Sequence, residues 1–210
     1  ASEDTRFAHK TPPDWLAVPV DLSIVIPAYN EETRVVGTVN SVCDFLASRD
    51  WHNEVIVVDD GSIDETAQRV RAACEARPNL RLVSAQVNRG KGAAIRLGAG
   101  QARGDIVGFI DADDKTDIAG LDRVFACLAD GADVVIGDRT LAATAIHIQR
   151  RFYRQWGSLL FRRILRWWLG MGDFPDTQCG FKFYQAGVLR TLYESACIDG
   201  YMFDVELLLL

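Results

Sequence analysis

Short runs of aliphatic and β-branched residues recur along this chain, separated by segments with helical spacing, and that alternation narrows the folds open to it. The runs are Leu22–Ile26, Glu54–Val58, Leu80–Ser84, the stretch Gly104–Ile110 and Asp133–Gly137. Between the first two, Glu31 to about Ser48 places Val35, Val39, Val42 and Phe45 on one side of a helix. Ser62 or Asp64 is suited to cap a second helix reaching about Ala76. Further helices are predicted from Gly92 to about Arg103 and near Ile118–Ala129. Strands alternating with helices predict an α/β fold with a mostly parallel sheet and helices on both faces. The length of 210 residues suits one domain. Residues 1–20, polar with Pro12 and Pro13, read as an N-terminal arm, and residues 21–210 as the domain. The closing Leu207–Leu210 predicts that the natural chain continues.

In an open parallel sheet, ligands collect beyond the carboxyl ends of the strands. Three such ends here carry polar groups: Pro27-Ala28-Tyr29-Asn30-Glu31, Asp59-Asp60-Gly61-Ser62 and Asp111-Ala112-Asp113. Residues i and i+2 of a strand share a face, so Asp111 and Asp113 can aim at one spot. Two carboxylates there suit Mg²⁺ or Mn²⁺ holding a diphosphate; the plainer alternative is an acidic turn meeting solvent. Three acidic ends together favour a nucleotide and metal site. Asn88–Gly92 reads as a turn opening a helix whose N-terminus and Lys91 lean toward phosphates, or as an ordinary helix start with an exposed lysine.

Other chemistries find little support. No Gly-x-Gly-x-x-Gly follows the first strand, and Gly90-Lys91-Gly92 lacks the flanking residues of a nucleoside-triphosphate loop. His9, His52 and His147 share no metal-ligand spacing, and no Gly-x-Ser-x-Gly turn occurs. Five scattered cysteines without a Cys-x-x-Cys pair favour reduced thiols over a disulfide frame or zinc site.

A formal charge of −6 argues against a general nucleic-acid binder. That balance conceals one basic segment. From Thr140 to Gly172 there is no acidic residue, while Arg150, Arg151, Arg154, Arg162, Arg163 and Arg166 all fall there. Over 148–169, Tyr153, Trp156, Leu160, Ile164, Trp167 and Trp168 gather on one side of a helix with most arginines opposite. Such a helix suits a membrane interface; the alternative is a surface helix docking its aromatic side on the sheet. No uncharged run reaches the roughly 18 residues needed to cross a bilayer.

Taken together, "SIVIPAYNEE" (23–32), "VIVVDDGSIDET" (55–66), "NRGKGAAIRLG" (88–98), "IDADD" (110–114) and "IGDR" (136–139) resemble the inverting family 2 glycosyltransferases of GT-A (Rossmann-like) fold. Within that family, "DTQCGFK" (176–182) and "FDVELL" (203–208) are similar to the polyprenyl- or dolichyl-phosphate sugar synthases, most of all the glucosyl branch. The resemblance implies transfer of a hexose, glucose from UDP-glucose in the first place, to a polyprenyl phosphate at the cytoplasmic face of a membrane. GDP-mannose as donor is the alternative within the family; a non-catalytic nucleotide-sugar-binding module is the alternative outside it.

Residue by residue, it implies that Pro27, Tyr29, Glu31 and Asp59 line the nucleoside pocket, with Asp60 near it. Asp111 and Asp113 become the metal-binding pair, Mg²⁺ or Mn²⁺ being the cofactor. Arg139 and Arg154 hold the lipid phosphate, with Arg150 as a third member. Asp176 and Gln178 face the sugar or acceptor. Lys115 stands where mannosyl relatives often place a metal-binding Gln, and a charged lysine cannot ligate. In relatives with hydroxyl acceptors a carboxylate of the later motif acts as base; the counterpart here is Asp204. A phosphate acceptor, already ionised near neutral pH, needs no base.

Overall fold

The computed structural model describes residues 19–113, 117–138 and 179–210. Within them lie strands β1 (Leu22–Ala28), β2 (Asn53–Asp59), β3 (Leu80–Ser84), β4 (Ile106–Ile110), β5 (Val134–Ile136) and β6 (Phe181–Gln185). They form one sheet in the order β3-β2-β1-β4-β6-β5. The first four pair in parallel, and β6 runs antiparallel between β4 and β5. The helices are α1 (Val35–Ala47), α2 (Thr66–Glu75), α3 (Lys91–Ala99), α4 (Leu121–Ala129, led by a 3-10 turn at Ile118–Gly120), α5 (Ala186–Ser195) and α6 (Phe203–Leu209).

Strand alternation sorts the buried side chains into two cores. Ile24, Ile26, Val55, Val57, Phe181 and Phe183 face α1 and α4. Val25, Ile56, Val58, Phe109 and Tyr184 face α3, α5 and α6. Burial on both sides explains why β1 and β2 read as unbroken aliphatic runs rather than alternating ones. Each such side chain contributes about 1.5–3 kcal/mol on leaving water, and removing one would leave a cavity between layers.

The structure extends and trims the sequence-read elements. Strand β1 runs through Pro27, where a stop was expected. The amide of Asp60 donates to the carbonyl of Ala28, so Ala28 faces β2 and Pro27 faces the other side. There the ladder with β4 has already ended at Val25, and the missing N–H of proline costs no strand bond. Helix α1 begins at Val35 rather than Glu31. Asp64 accepts from the Thr66 amide just ahead of α2, whereas the Ser62 hydroxyl serves the loop after β1. Helix α3 stops at Ala99, and the amide of Arg103 turns back to Glu54. Strand β6 was not read from sequence; it occupies a place inside the sheet, between β4 and β5. Val20 is buried and its carbonyl accepts from the Asp105 amide, so the ordered core reaches back into the segment read as an arm. The interfacial helix expected at 148–169 lies outside the described residues.

At the amino end of the sheet one carboxylate ties four segments together. Glu54, 2% exposed, accepts from the Ser23 hydroxyl (2.7 Å) and the Arg103 amide (2.8 Å) on one oxygen, and from Arg81 (3.2 Å) and Arg103 (3.0 Å) guanidiniums on the other. Burial pushes its pKa up, but these hydrogen bonds and the Arg81 charge outweigh burial and hold it below the ordinary carboxylate value. A depressed folded-state pKa contributes stability above the unfolded value of about 4.3, lost as pH falls through the folded value. Glu54→Gln is expected to cost about 2 kcal/mol at pH 7 in urea unfolding. It should also lose less stability than the parent between about pH 5 and pH 3, since the titrating group is gone.

Candidate active site

The loops after β1 and β2 are stitched to each other before any ligand is considered. Asn30 sits at φ +53°, a left-handed conformation that Asn tolerates better than most residues. That turn sends its amide to the Ser62 hydroxyl (2.9 Å) and lets its side-chain oxygen accept from the Ile63 amide (3.0 Å). The Glu31 amide donates to Thr66 (2.8 Å), and Glu32 accepts from the Glu65 amide (3.0 Å). Glu31 itself pairs with Arg34 at 2.6 Å. Pro27 is half-buried and Tyr29 exposed at the end of β1; Ile63 and Val87 are exposed beyond β2 and β3. These side chains lie at or just beyond the carboxyl ends of β1, β2 and β3.

Asp59 and Asp60 are both buried, and both hold backbone. Asp59 accepts from the Ser62 amide (3.1 Å), which closes the tight turn through Gly61. Gly61 stands at φ +71°, and a Cβ there would fall 2.7 Å from the backbone of Val87. Asp60 accepts from the amides of Arg89 (3.0 Å) and Gly90 (2.8 Å), fastening the loop after β3 to the end of β2. A cavity of about 250 Å³ opens beside Asp60, lined in part by Val87, Arg89, Ala93 and Leu97. It is smaller than the roughly 300–1,000 Å³ usual for small-molecule sites.

Helix α3 begins at Lys91, and the Ala93 amide in its first turn already donates to the Asp199 carbonyl (3.1 Å). Arg89 pairs with the Asp199 carboxylate at 2.8 Å. Part of this helix N-terminus therefore holds the chain's own 199 region. Lys91 turns instead to the end of β4, where its ammonium lies 2.6 Å from the Asp111 carboxylate. Burial works against the Lys91 charge, but Asp111 and Asp204 outweigh it and raise its pKa.

Asp111 is fixed from the other side by β6. Its amide donates to the Gly180 carbonyl (3.1 Å), and any side chain at Gly180 would overlap the Asp111 carboxylate. Strand β4 ends at Ile110, and Ala112 is buried with its carbonyl accepting from Thr38 (2.8 Å). Asp111 and Asp113 therefore follow the strand in a turn, and the pleat argument for a shared face stops one residue short of them. Lys182, fully buried, donates to the Cys179 carbonyl (2.7 Å) and to Asp204 (2.6 Å). Burial pushes the Asp204 carboxyl up and the Lys182 ammonium down, each opposed by the other's charge.

Among the described residues no group of three or more His, Cys, Asp and Glu converges as a metal cage. The donors at the end of β4 nevertheless fit a divalent cation. Asp111 and Asp113 bring the hard oxygens that Mg²⁺ and Mn²⁺ take, diphosphate and water can complete the shell, and a cation, Lys91, already rests on Asp111. The structure thus joins Lys91 to Asp111 and gathers the ends of β1, β2 and β4 at one edge. Arg139, Arg150, Arg154, Lys115, Asp176 and Gln178 lie outside the described residues. Sequence reasoning missed Gly180, Lys182 and Asp199. The alternation in Phe181-Lys182-Phe183-Tyr184 carried the signal for Lys182, since it puts that lysine on the same face as Tyr184. Among the described residues no helix is long and apolar enough to cross a membrane.

Comparison with known proteins agrees with this architecture. The chain is 32% identical over 210 residues to the dolichyl-phosphate beta-glucosyltransferase of Mus musculus, covering 94% of this chain and 64% of that protein. It is likewise 32% identical over 210 residues to the protein of the same name in Dictyostelium discoideum, covering 91% and 63%. The chain therefore spans a little under two thirds of the length of these relatives. Among solved structures it superposes on glucosyl-3-phosphoglycerate synthase from Mycobacterium tuberculosis, solved with Mn²⁺, uridine diphosphate and glucosyl-3-phosphoglycerate. That match has a TM-score of 0.69 at 24% identity, covers 96% of this chain and 70% of the other, and shows a shared GT-A-like fold. The family pattern described as glycosyl transferase family 2 matches residues 23–192, and the chain belongs to that family.

Proposed function

We propose that this chain catalyses transfer of glucose from UDP-glucose to a polyprenyl phosphate of the dolichyl type, with inversion at the anomeric carbon. The observation that carries the acceptor class is the state of Asp204. Hydroxyl acceptors need a carboxylate free to take a proton, whereas Asp204 is 1% exposed and held by Lys182 at 2.6 Å. A phosphate monoester has a second pKa of about 6 and attacks as an anion without a base. The names of the relatives, dolichyl-phosphate beta-glucosyltransferases, support the same acceptor and the same sugar.

In this reading Pro27, Tyr29 and Glu31 border the nucleoside, and Asp59 and Asp60 shape its pocket by holding the loops around it. Asp111 and Asp113 hold Mg²⁺ or Mn²⁺, and the metal, when bound, stabilises the charge that gathers on the departing diphosphate. Arg139, Arg154 and Arg150 bring the lipid phosphate to the donor through bidentate hydrogen bonds, offsetting repulsion between two anions. The basic, Trp-rich segment 148–169 lies in the interface of a membrane, where the long lipid is found. The catalytic domain takes in residues 21–210 together with the buried Val20, and the residues before Val20 are an arm preceding it.

Asp113→Ala is expected to lower turnover about 10²-fold, or ~3 kcal/mol, with Mg²⁺ present. Turnover near the parent value would remove the metal assignment, and nucleotide binding without product on any lipid phosphate would leave a binding module. UDP with Mn²⁺ should raise the melting temperature more than GDP with Mn²⁺; the reverse order would point to GDP-mannose. Trp156→Ser combined with Trp167→Ser should reduce flotation with anionic liposomes, and unchanged flotation would argue against the interfacial segment.

A further inference from the structure

Four charged side chains form two neighbouring ion pairs near the carboxyl end of β4. Asp111 touches Lys91 at 2.6 Å, Asp204 touches Lys182 at 2.6 Å, and the two pairs act on each other through the charges of Lys91 and Asp204. Two carboxylates and two ammoniums balance. Lys182 and Asp204 are closed off, at 0% and 2% side-chain exposure, but Asp111 at 32% and Lys91 at 25% still meet solvent. The outer pair is thus the one that a ligand can reach.

A divalent cation placed on Asp111 would compete with the Lys91 ammonium for that carboxylate. Among the described residues the second carboxylate acting on Lys91, Asp204, is already held by Lys182 through Oδ1. A nucleoside diphosphate changes the balance. It carries about two to three negative charges near neutral pH, which match the incoming cation and offer the displaced ammonium a new anion at the same strand end.

We propose that Lys91 is a built-in counter-ion that occupies Asp111 until diphosphate and divalent cation arrive together, and then moves to the diphosphate. The inference rests on the nucleotide and metal reading given above, and it adds an order to the events. Metal binds weakly to the free protein, nucleotide binds weakly without metal, and each strengthens the other by the same factor, as linkage requires. The design keeps Asp111 neutralised between turnovers and couples metal affinity to the presence of the donor.

Calorimetric titration of Mn²⁺ and of UDP, alone and together, tests this on the parent chain and on Lys91→Gln. In the parent, saturating UDP should tighten Mn²⁺ binding at least about tenfold. In Lys91→Gln, Mn²⁺ alone should bind about tenfold more tightly than in the parent, because Asp111 is no longer covered. In the same variant UDP should bind more weakly in saturating Mn²⁺, because the ammonium that meets the diphosphate is gone. Mn²⁺ affinity raised without UDP but not with it separates the proposal from general removal of positive charge, which would favour Mn²⁺ with or without UDP. Mn²⁺ affinity unchanged or lower in nucleotide-free Lys91→Gln, beside normal synergy in the parent, overturns the counter-ion role and leaves the nucleotide and metal reading intact. A parent that binds neither UDP nor Mn²⁺ overturns both. Should the variant not fold, the parent itself decides by nitrogen NMR of ¹⁵N-lysine-labelled chain: the Lys91 ammonium resonance should move on adding UDP with Mg²⁺. A resonance unmoved at saturation overturns the proposal.

Discussion

The antiparallel insertion of β6 between β4 and β5 is the constraint on which the rest of the site depends. Its register, Ile110 opposite Phe181, brings Gly180 against Asp111 and sets Lys182 opposite Phe109. Alternation then divides the strand's side chains between the two cores: Phe181 and Phe183 join the aromatic packing on the α1 side, Lys182 and Tyr184 the α3 side. A shift of one residue would reverse that division, leaving Asp204 without its counter-charge and placing a ring against Asp111. Register therefore determines the electrostatics of the site as well as the packing.

The sheet also separates two charged clusters by polarity. Glu54 works at the amino end, where it joins β1, β2, β3 through Arg81 and the loop carrying Arg103 into one network. Its oxygens are all engaged, so it stabilises and offers nothing to a ligand. The carboxylates at the other end differ in accessibility. Asp59 and Asp60 are committed to backbone amides, Asp204 to a buried lysine, and Asp111 to a lysine that solvent can reach. Acidic residues of similar appearance in the sequence thus have three distinct functions, divided by what already donates to them.

Much of the architecture was legible because its signals are local. Strands β1 to β5 announce themselves as aliphatic runs, and the helices by spacing, so the α/β class followed directly. Boundaries slipped where a long-range partner decided them. Helix α1 starts late because Glu31 and Glu32 are drawn to Thr66 and Asp64, and α3 ends early because Arg103 turns to Glu54. Strand β6 escaped because a lysine interrupts its apolar run, and that lysine is buried only through a carboxylate 22 residues away. The roles of Asp59 and Asp60 as loop fasteners were likewise invisible, since they depend on amides that only folding brings near.

The clasp between the 88–93 loop and Asp199 has a kinetic meaning. Arg89 and Asp199 are 110 positions apart in the chain, and the Ala93 amide reaches the same residue. Contacts of such separation form late, after the loop closure they require has been achieved by other interactions. The four parallel strands can assemble from residues 22–110 through shorter closures. The 88–93 loop therefore takes its final shape only when the segment around Asp199 docks, so a nascent chain emerging from the ribosome would hold its four parallel strands well before that clasp closed.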